Sequence, residues 1–172
     1  MNETKTISRQ IGDLLYGSNY TVGTAESCTG GRIGEALIAI PGASNYFKGG
    51  IISYTNEVKE NLLQVSHETL EAQTAVCEDV ARQMALGAIK ALNVDFAVSV
   101  TGVAGPGGGT PDIPVGTIWI ACGTKDNIRT LKLENDFGRD INLAIATNKA
   151  LRLLLQVVTE RLNEDEENEK NP

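Results

Sequence analysis

Residues 20–31 read Tyr20-Thr21-Val22-Gly23-Thr24-Ala25-Glu26-Ser27-Cys28-Thr29-Gly30-Gly31. The first half, Tyr20 to Ala25, is short, β-branched and bounded by turn residues, which predicts a buried strand. Gly30-Gly31 then opens a helix whose inner face carries Ile33, Ala36, Leu37 and Ile40, and Pro41-Gly42 ends it. A strand that runs through small hydroxyl residues into a helix is the building unit of an α/β fold.

The flanking sequence extends that unit. Upstream, Ile7, Ile11, Leu14 and Leu15 recur at helical spacing, and Gly17-Ser18-Asn19 stops the helix. Downstream, Gly50 to Tyr54 predicts a second strand, Asn56 to Leu63 a polar helix, and Glu78 to Leu92 a helix on Val80, Met84, Ala88 and Leu92. Asp95 to Thr101 alternates with valines as a central strand does and enters the glycine-rich run Gly102 to Gly109. Val115 to Cys122 and Ile128 to Leu133 lie close enough in sequence to form a hairpin. A last helix runs from Arg139 to Leu162. This order predicts a three-layer α/β/α sandwich with a mixed, mostly parallel sheet over residues 1–162, and an acidic disordered tail over 163–172.

At 172 residues the chain is one domain's worth. Fifteen Lys+Arg against 22 Asp+Glu give a net charge of −7. That balance argues against nucleic acid and against an anionic membrane surface as partners. Five acids and one lysine between Asn163 and Pro172 carry −4 of it, so −3 remains for the folded part. Three widely spaced cysteines, Cys28, Cys77 and Cys122, read as free thiols in a reducing compartment. With a polar N-terminus and no run of 18 apolar residues, a cytoplasmic location is expected. The single histidine, His67, sits in a polar segment and reads as a surface residue near a helix start. Catalysis therefore has to run without a Ser-His-Asp triad or a histidine-rich metal site; no metal and no cofactor is expected.

Three segments could carry chemistry. In Thr24 to Gly31, backbone N–H groups at the helix start suit an anion or oxyanion, and Ser27 stands on a sharp turn as a nucleophile would. The structural alternative is that Ser27 or Thr29 only caps the helix. In Ser53 to Lys59, Tyr54 at a strand end and Lys59 one turn into a helix could face one cleft, where a desolvated lysine serves as a base. Most lysines are solvated surface charges, and most tyrosines are packing residues. In Thr101 to Thr117, glycines at a strand end imply close approach to a ligand, and Pro106, Pro111 and Pro114 stiffen what is otherwise a flexible loop.

Taken together, the Thr24-to-Gly31 octapeptide, the Tyr54-to-Lys59 segment and Gly102-Val103-Ala104-Gly105-Pro106 resemble the CinA carboxy-terminal domain family, whose active members are nicotinamide-nucleotide amidases. The likeness runs from the first helix to about Leu162. It implies a three-layer α/β/α fold and deamidation of nicotinamide mononucleotide to nicotinate mononucleotide and ammonia, within pyridine-nucleotide recycling. The family's serine, tyrosine and lysine fall on Ser27, Tyr54 and Lys59. In the mechanism expected, Ser27 attacks, Lys59 takes its proton, Tyr54 relays or orients it, and N–H groups from Cys28 to Gly31 hold the oxyanion. Cys28, Thr29, Gly30, Gly31, Gly102, Ala104, Gly105 and Arg139 are the expected substrate-binding residues, with Cys28 packed inward rather than acting as a thiol nucleophile.

The resemblance also implies a homo-oligomer. Three departures stand out. The family's Phe-x-Gly-Asp-Arg reads Asp136-Phe137-Gly138-Arg139-Asp140, Cys77 replaces a capping serine, and Ile113 replaces a lysine. A non-catalytic nucleotide-binding or assembly module of the same fold, and an amidase for another small amide, are the alternatives.

Overall fold

Asn2 caps the first helix by accepting from the Thr4 N–H, 3.1 Å away. In the computed structural model, which describes residues 2–171, that helix is α1 (Glu3–Leu15). There follow β1 (Val22–Glu26), α2 (Arg32–Ile38), a 3-10 turn (Ala43–Asn45), β2 (Phe47–Ile52), α3 (Asn56–Leu63), α4 (His67–Gln73) and α5 (Glu78–Leu92). The chain ends with β3 (Phe96–Gly102), β4 (Ile118–Thr124), β5 (Asn127–Leu133) and α6 (Arg139–Lys170).

The five strands form one sheet in the order β2-β1-β3-β4-β5. β1 is parallel to both β2 and β3, whereas β3 with β4 and β4 with β5 are antiparallel. The expectation of a mostly parallel sheet is therefore corrected: two pairs are of each kind. Helices intervene wherever the strands stay parallel. Between β3 and β4 there is only a loop, and β4 and β5 are joined across Lys125-Asp126, so the chain has to reverse.

Alternation along the strands builds two different faces. Val22, Phe96, Val98, Val100, Ile118 and Ile120 face α1, α2 and α6 in the larger core. Ala25, Ala97 and Ala121 face α3, α4 and α5. Small residues on that second face let α5 sit close, and Ser99 Oγ donates to the Ala81 carbonyl at 2.6 Å. α5 also lies against α3, where a Cβ at Gly87 would overlap the Leu63 carbonyl. Only glycine permits that approach, and it fixes how deeply α3 is seated.

Three local features differ from expectation. α4 was not foreseen, because Leu70 is its one buried residue and a lone apolar side chain shows no period. β2 starts at Phe47 rather than Gly50, set by pairing with Val22–Glu26, which leaves Tyr54 beyond the sheet. The acidic segment after Leu162, residues 163–170, continues α6 as helix instead of being disordered. Glutamate is a good helix former, and extending an existing helix needs no new nucleus. Asp165 is also tied down, accepting from Tyr20 Oη at 2.5 Å and Arg161 Nε at 3.1 Å. α6 is long enough to cross a bilayer, but its apolar stripe, Leu143 through Val158, is buried against the sheet and α1.

Candidate active site

Thr55 caps α3, its Oγ1 accepting from the Val58 N–H at 3.3 Å. That start puts Lys59 and Leu63, four residues apart, on the face turned toward the sheet. Lys59 is 1% exposed. Its ammonium donates to Ser27 Oγ at 2.9 Å and to the Ser53 carbonyl at 2.7 Å. Among the described residues it forms no ion pair, so two neutral acceptors are all that replaces the water around the charge. Burial pulls its pKa down to about 8.

Ser27 follows directly on β1, and strand parity explains its direction. Ala25 faces α3 and α5, Glu26 faces the opposite side toward α2, and Ser27 returns to the α3 side, where Lys59 waits. Its N–H donates to the Val100 carbonyl at 2.9 Å, which holds the turn to β3.

Glu26 changes the expected use of the helix start. Its buried carboxylate accepts from the N–H groups of Gly31 (3.0 Å), Ile33 (3.1 Å) and Gly34 (2.9 Å). The protein's own anion thus occupies the α2 N-terminus. Neither Ser27 nor Thr29 caps that helix: the Ser27 hydroxyl is engaged by Lys59, and the buried Thr29 hydroxyl has no partner among the described residues. Gly31, at φ 103, provides the left-handed turn that lets the chain enter α2 above the carboxylate. The Gly30 N–H goes to the Ser27 carbonyl at 3.1 Å. Of the N–H groups from Cys28 to Gly31, those of Cys28 and Thr29 are left without an acceptor among the described residues.

Ser27, Cys28 and Lys59 open onto a cleft of about 320 Å³. Tyr54, Gly102, Ala104, Gly105 and Arg139 line it too, while Thr29, Gly30 and Gly31 are not among its lining residues. The Tyr54 side chain is 62% exposed and makes no hydrogen bond to Ser27 or Lys59. Burial pushes the Cys28 thiol up to about 11, so it stays protonated beside Ser27. Arg139, the first residue of α6, donates from Nη1 to the Gly105 carbonyl at 2.8 Å. Despite the shifted glycine, this brings the arginine to the cleft.

Other participants escaped the sequence. Glu26 is visible there only as a charge at the end of a buried strand, an anomaly that was a usable signal. Ser53 contributes a main-chain carbonyl, which no side-chain pattern reveals. The Thr101 hydroxyl donates to the Ala75 carbonyl at 2.8 Å and so holds the Ala75-Val76 wall of the cleft.

The family model for the CinA C-terminal domain matches residues 4–158. The nicotinamide-nucleotide amidohydrolase PncC of Escherichia coli is 42% identical over 156 residues, covering 90% of this chain and 94% of that one. A CinA-like protein of Leptospira borgpetersenii is 48% identical over 123 residues, or 72% of this chain, and the match spans 29% of the length of that longer relative. Among solved structures, the competence/damage inducible protein CihA of Agrobacterium tumefaciens superposes with a TM-score of 0.87 at 37% identity, covering 91% of this chain and 96% of that one. With a family match running from α1 into α6 and a full-length relative at 42% identity, this chain belongs to the CinA C-terminal domain family.

Proposed function

We propose that the protein is an amidohydrolase that converts nicotinamide mononucleotide and water to nicotinate mononucleotide and ammonia. The observation that carries this reading is the 2.9 Å contact between Ser27 Oγ and the buried, carboxylate-free Lys59 ammonium. The kinship with the Escherichia coli amidohydrolase supplies the substrate class.

A serine hydroxyl is a poor nucleophile until a neighbour takes its proton. With a pKa near 8, Lys59 is neutral in roughly one molecule in ten at pH 7, and the neutral amine accepts from Ser27 across the contact already made. Ser27 Oγ then bonds to the carboxamide carbon. The carbonyl π electrons move to oxygen, and the unengaged N–H of Cys28, which lines the cleft, is the donor for that oxyanion. Lys59, now an ammonium, returns the proton to the departing nitrogen, with exposed Tyr54 able to close over the cleft and relay it. Ammonia leaves and an acyl-Ser27 ester remains. Water, deprotonated by the regenerated Lys59 amine, cleaves the ester to carboxylate and free Ser27. Arg139 supplies the charge for the substrate's phosphate at the far side of the cleft.

The test is ammonia release from nicotinamide mononucleotide, with Ser27→Ala and Lys59→Ala as controls. Wild-type protein that releases none overturns the amidase reading. Full activity in Ser27→Ala overturns the nucleophile.

A further inference from the structure

Three residues into α6, the side chain of Asn142 is buried and hydrogen-bonded at both ends. Its Nδ2 donates to the Ala104 carbonyl at 3.1 Å and to Asp136 Oδ1 at 2.9 Å, while its Oδ1 accepts from the Phe137 N–H at 2.9 Å. The partners fix the amide's orientation: two are acceptors and one is a donor, so the flipped amide would lose all three bonds. A helical side chain leans back toward its own N-terminus, which is how Asn142 reaches the turn before Arg139. Asp136 Oδ1 also accepts from the Gly138 N–H at 2.9 Å. Residues 136–138 are therefore wired around one buried amide.

The bond to Ala104 is the informative one. Ala104 and Gly105 belong to the glycine-rich loop on the opposite wall, and Gly105 is the residue whose carbonyl holds Arg139. Two adjacent carbonyls of that loop thus receive one bond from Asn142 and one from Arg139. Asn142 itself does not line the cleft. It grips the arginine's turn on one side and the loop's backbone on the other.

We infer that Asn142 is a positioning residue, clamping the Arg139 turn to the Gly102–Gly109 loop so that the guanidinium is held over the cleft to receive the anionic end of the substrate. The inference rests on the reading of Arg139 as the cation for a nucleotide phosphate. A residue that acts this way sets how well substrate is held and leaves the Ser27–Lys59 chemistry alone, so its removal shows in KM rather than kcat. Its effect also has to pass through Arg139, which makes the two substitutions non-additive.

The experiment uses the full chain with Asn142→Ala and Asn142→Asp, each alone and combined with Arg139→Ala. Asn142→Asp keeps the volume and the acceptor for Phe137 but loses both donations, so it serves where Asn142→Ala does not fold. Ammonia release from nicotinamide mononucleotide is expected to show KM raised about tenfold, kcat within about twofold, and little further rise once Arg139→Ala is present. Full additivity with Arg139→Ala, or a loss confined to kcat, overturns the assignment. Amide hydrogen exchange over 103–109 and 136–138 is followed in the same proteins. Faster exchange in both segments is expected, and unchanged exchange in both overturns the clamp whatever the activity. Wild-type protein that releases no ammonia overturns the amidase reading alone, and the exchange measurement still decides the role of Asn142.

Discussion

Lys59 reaches Ser27 from a different element, on a different layer, and spends its other bond on the Ser53 carbonyl rather than on any carboxylate. A buried ammonium with only neutral acceptors is costly, and that cost keeps the amine within reach of neutrality near physiological pH.

The first consequence is a pH–rate profile. The value of kcat/KM is expected to rise with pH and level off above about 8, as Lys59 loses its proton in the free enzyme. Lys59→Arg, which cannot deprotonate in this range, should lower kcat/KM by about a thousandfold and remove the limb. A limb that survives Lys59→Arg assigns the base to another group.

Folding stability should carry the same signature. The Lys59 pKa is lowered on folding from 10.5 to about 8, so between those values the unfolded chain binds more protons than the folded one. Stability therefore increases with pH in that window, by about 1 kcal/mol between pH 8 and 9. Cys28 and Cys122, whose thiols burial raises, act in the opposite sense as pH approaches 9, so the Lys59 contribution is the difference between wild type and a variant without the amine. Urea denaturation at pH 8 and 9 should show this gain in wild type relative to Lys59→Met.

Glu26 holds three N–H groups that have no other acceptor among the described residues. Glu26→Ala should destabilise the fold by about 3 kcal/mol, and Glu26→Gln, which keeps one oxygen, by about half as much. Because the carboxylate sits next to Ser27 in sequence and ties β1 to α2, both variants should also lose activity. Equal stability of wild type and Glu26→Ala in denaturant would contradict the assignment.

At Gly87 two effects compete. Helix propensity favours alanine by roughly 1 kcal/mol in the middle of α5. Here the added Cβ meets the Leu63 main chain, which cannot turn aside, so overpacking wins. Gly87→Ala should cost about 2 kcal/mol in thermal or denaturant unfolding. It should also reduce activity, since α3 carries Lys59 one turn before Leu63.

From the chain alone, the strand Tyr20–Ala25, the helix Asn56–Leu63, the helix Glu78–Leu92 and the β4–β5 hairpin were legible, because each has its own period or turn chemistry. So were the residue types: a serine on a strand-to-helix turn, a lysine in a helix's first turns, and a glycine-rich loop at a strand end. Sequence could not say that Ser27 and Lys59 are 2.9 Å apart, since 32 residues separate them and only the seating of α3 against α5 and β1 sets the distance. Nor could it separate a solvated lysine from one that is 1% exposed. It assigned the α2 N–H groups to an outside anion, whereas parity along β1 delivers Glu26 to them. Tyr54 is placed by β2's pairing, and Arg139 by its bond to Gly105. Local sequence determines which backbone conformations and chemical groups are present. Which groups lose water, and which donors are already satisfied, depends on neighbours that only the folded chain assembles.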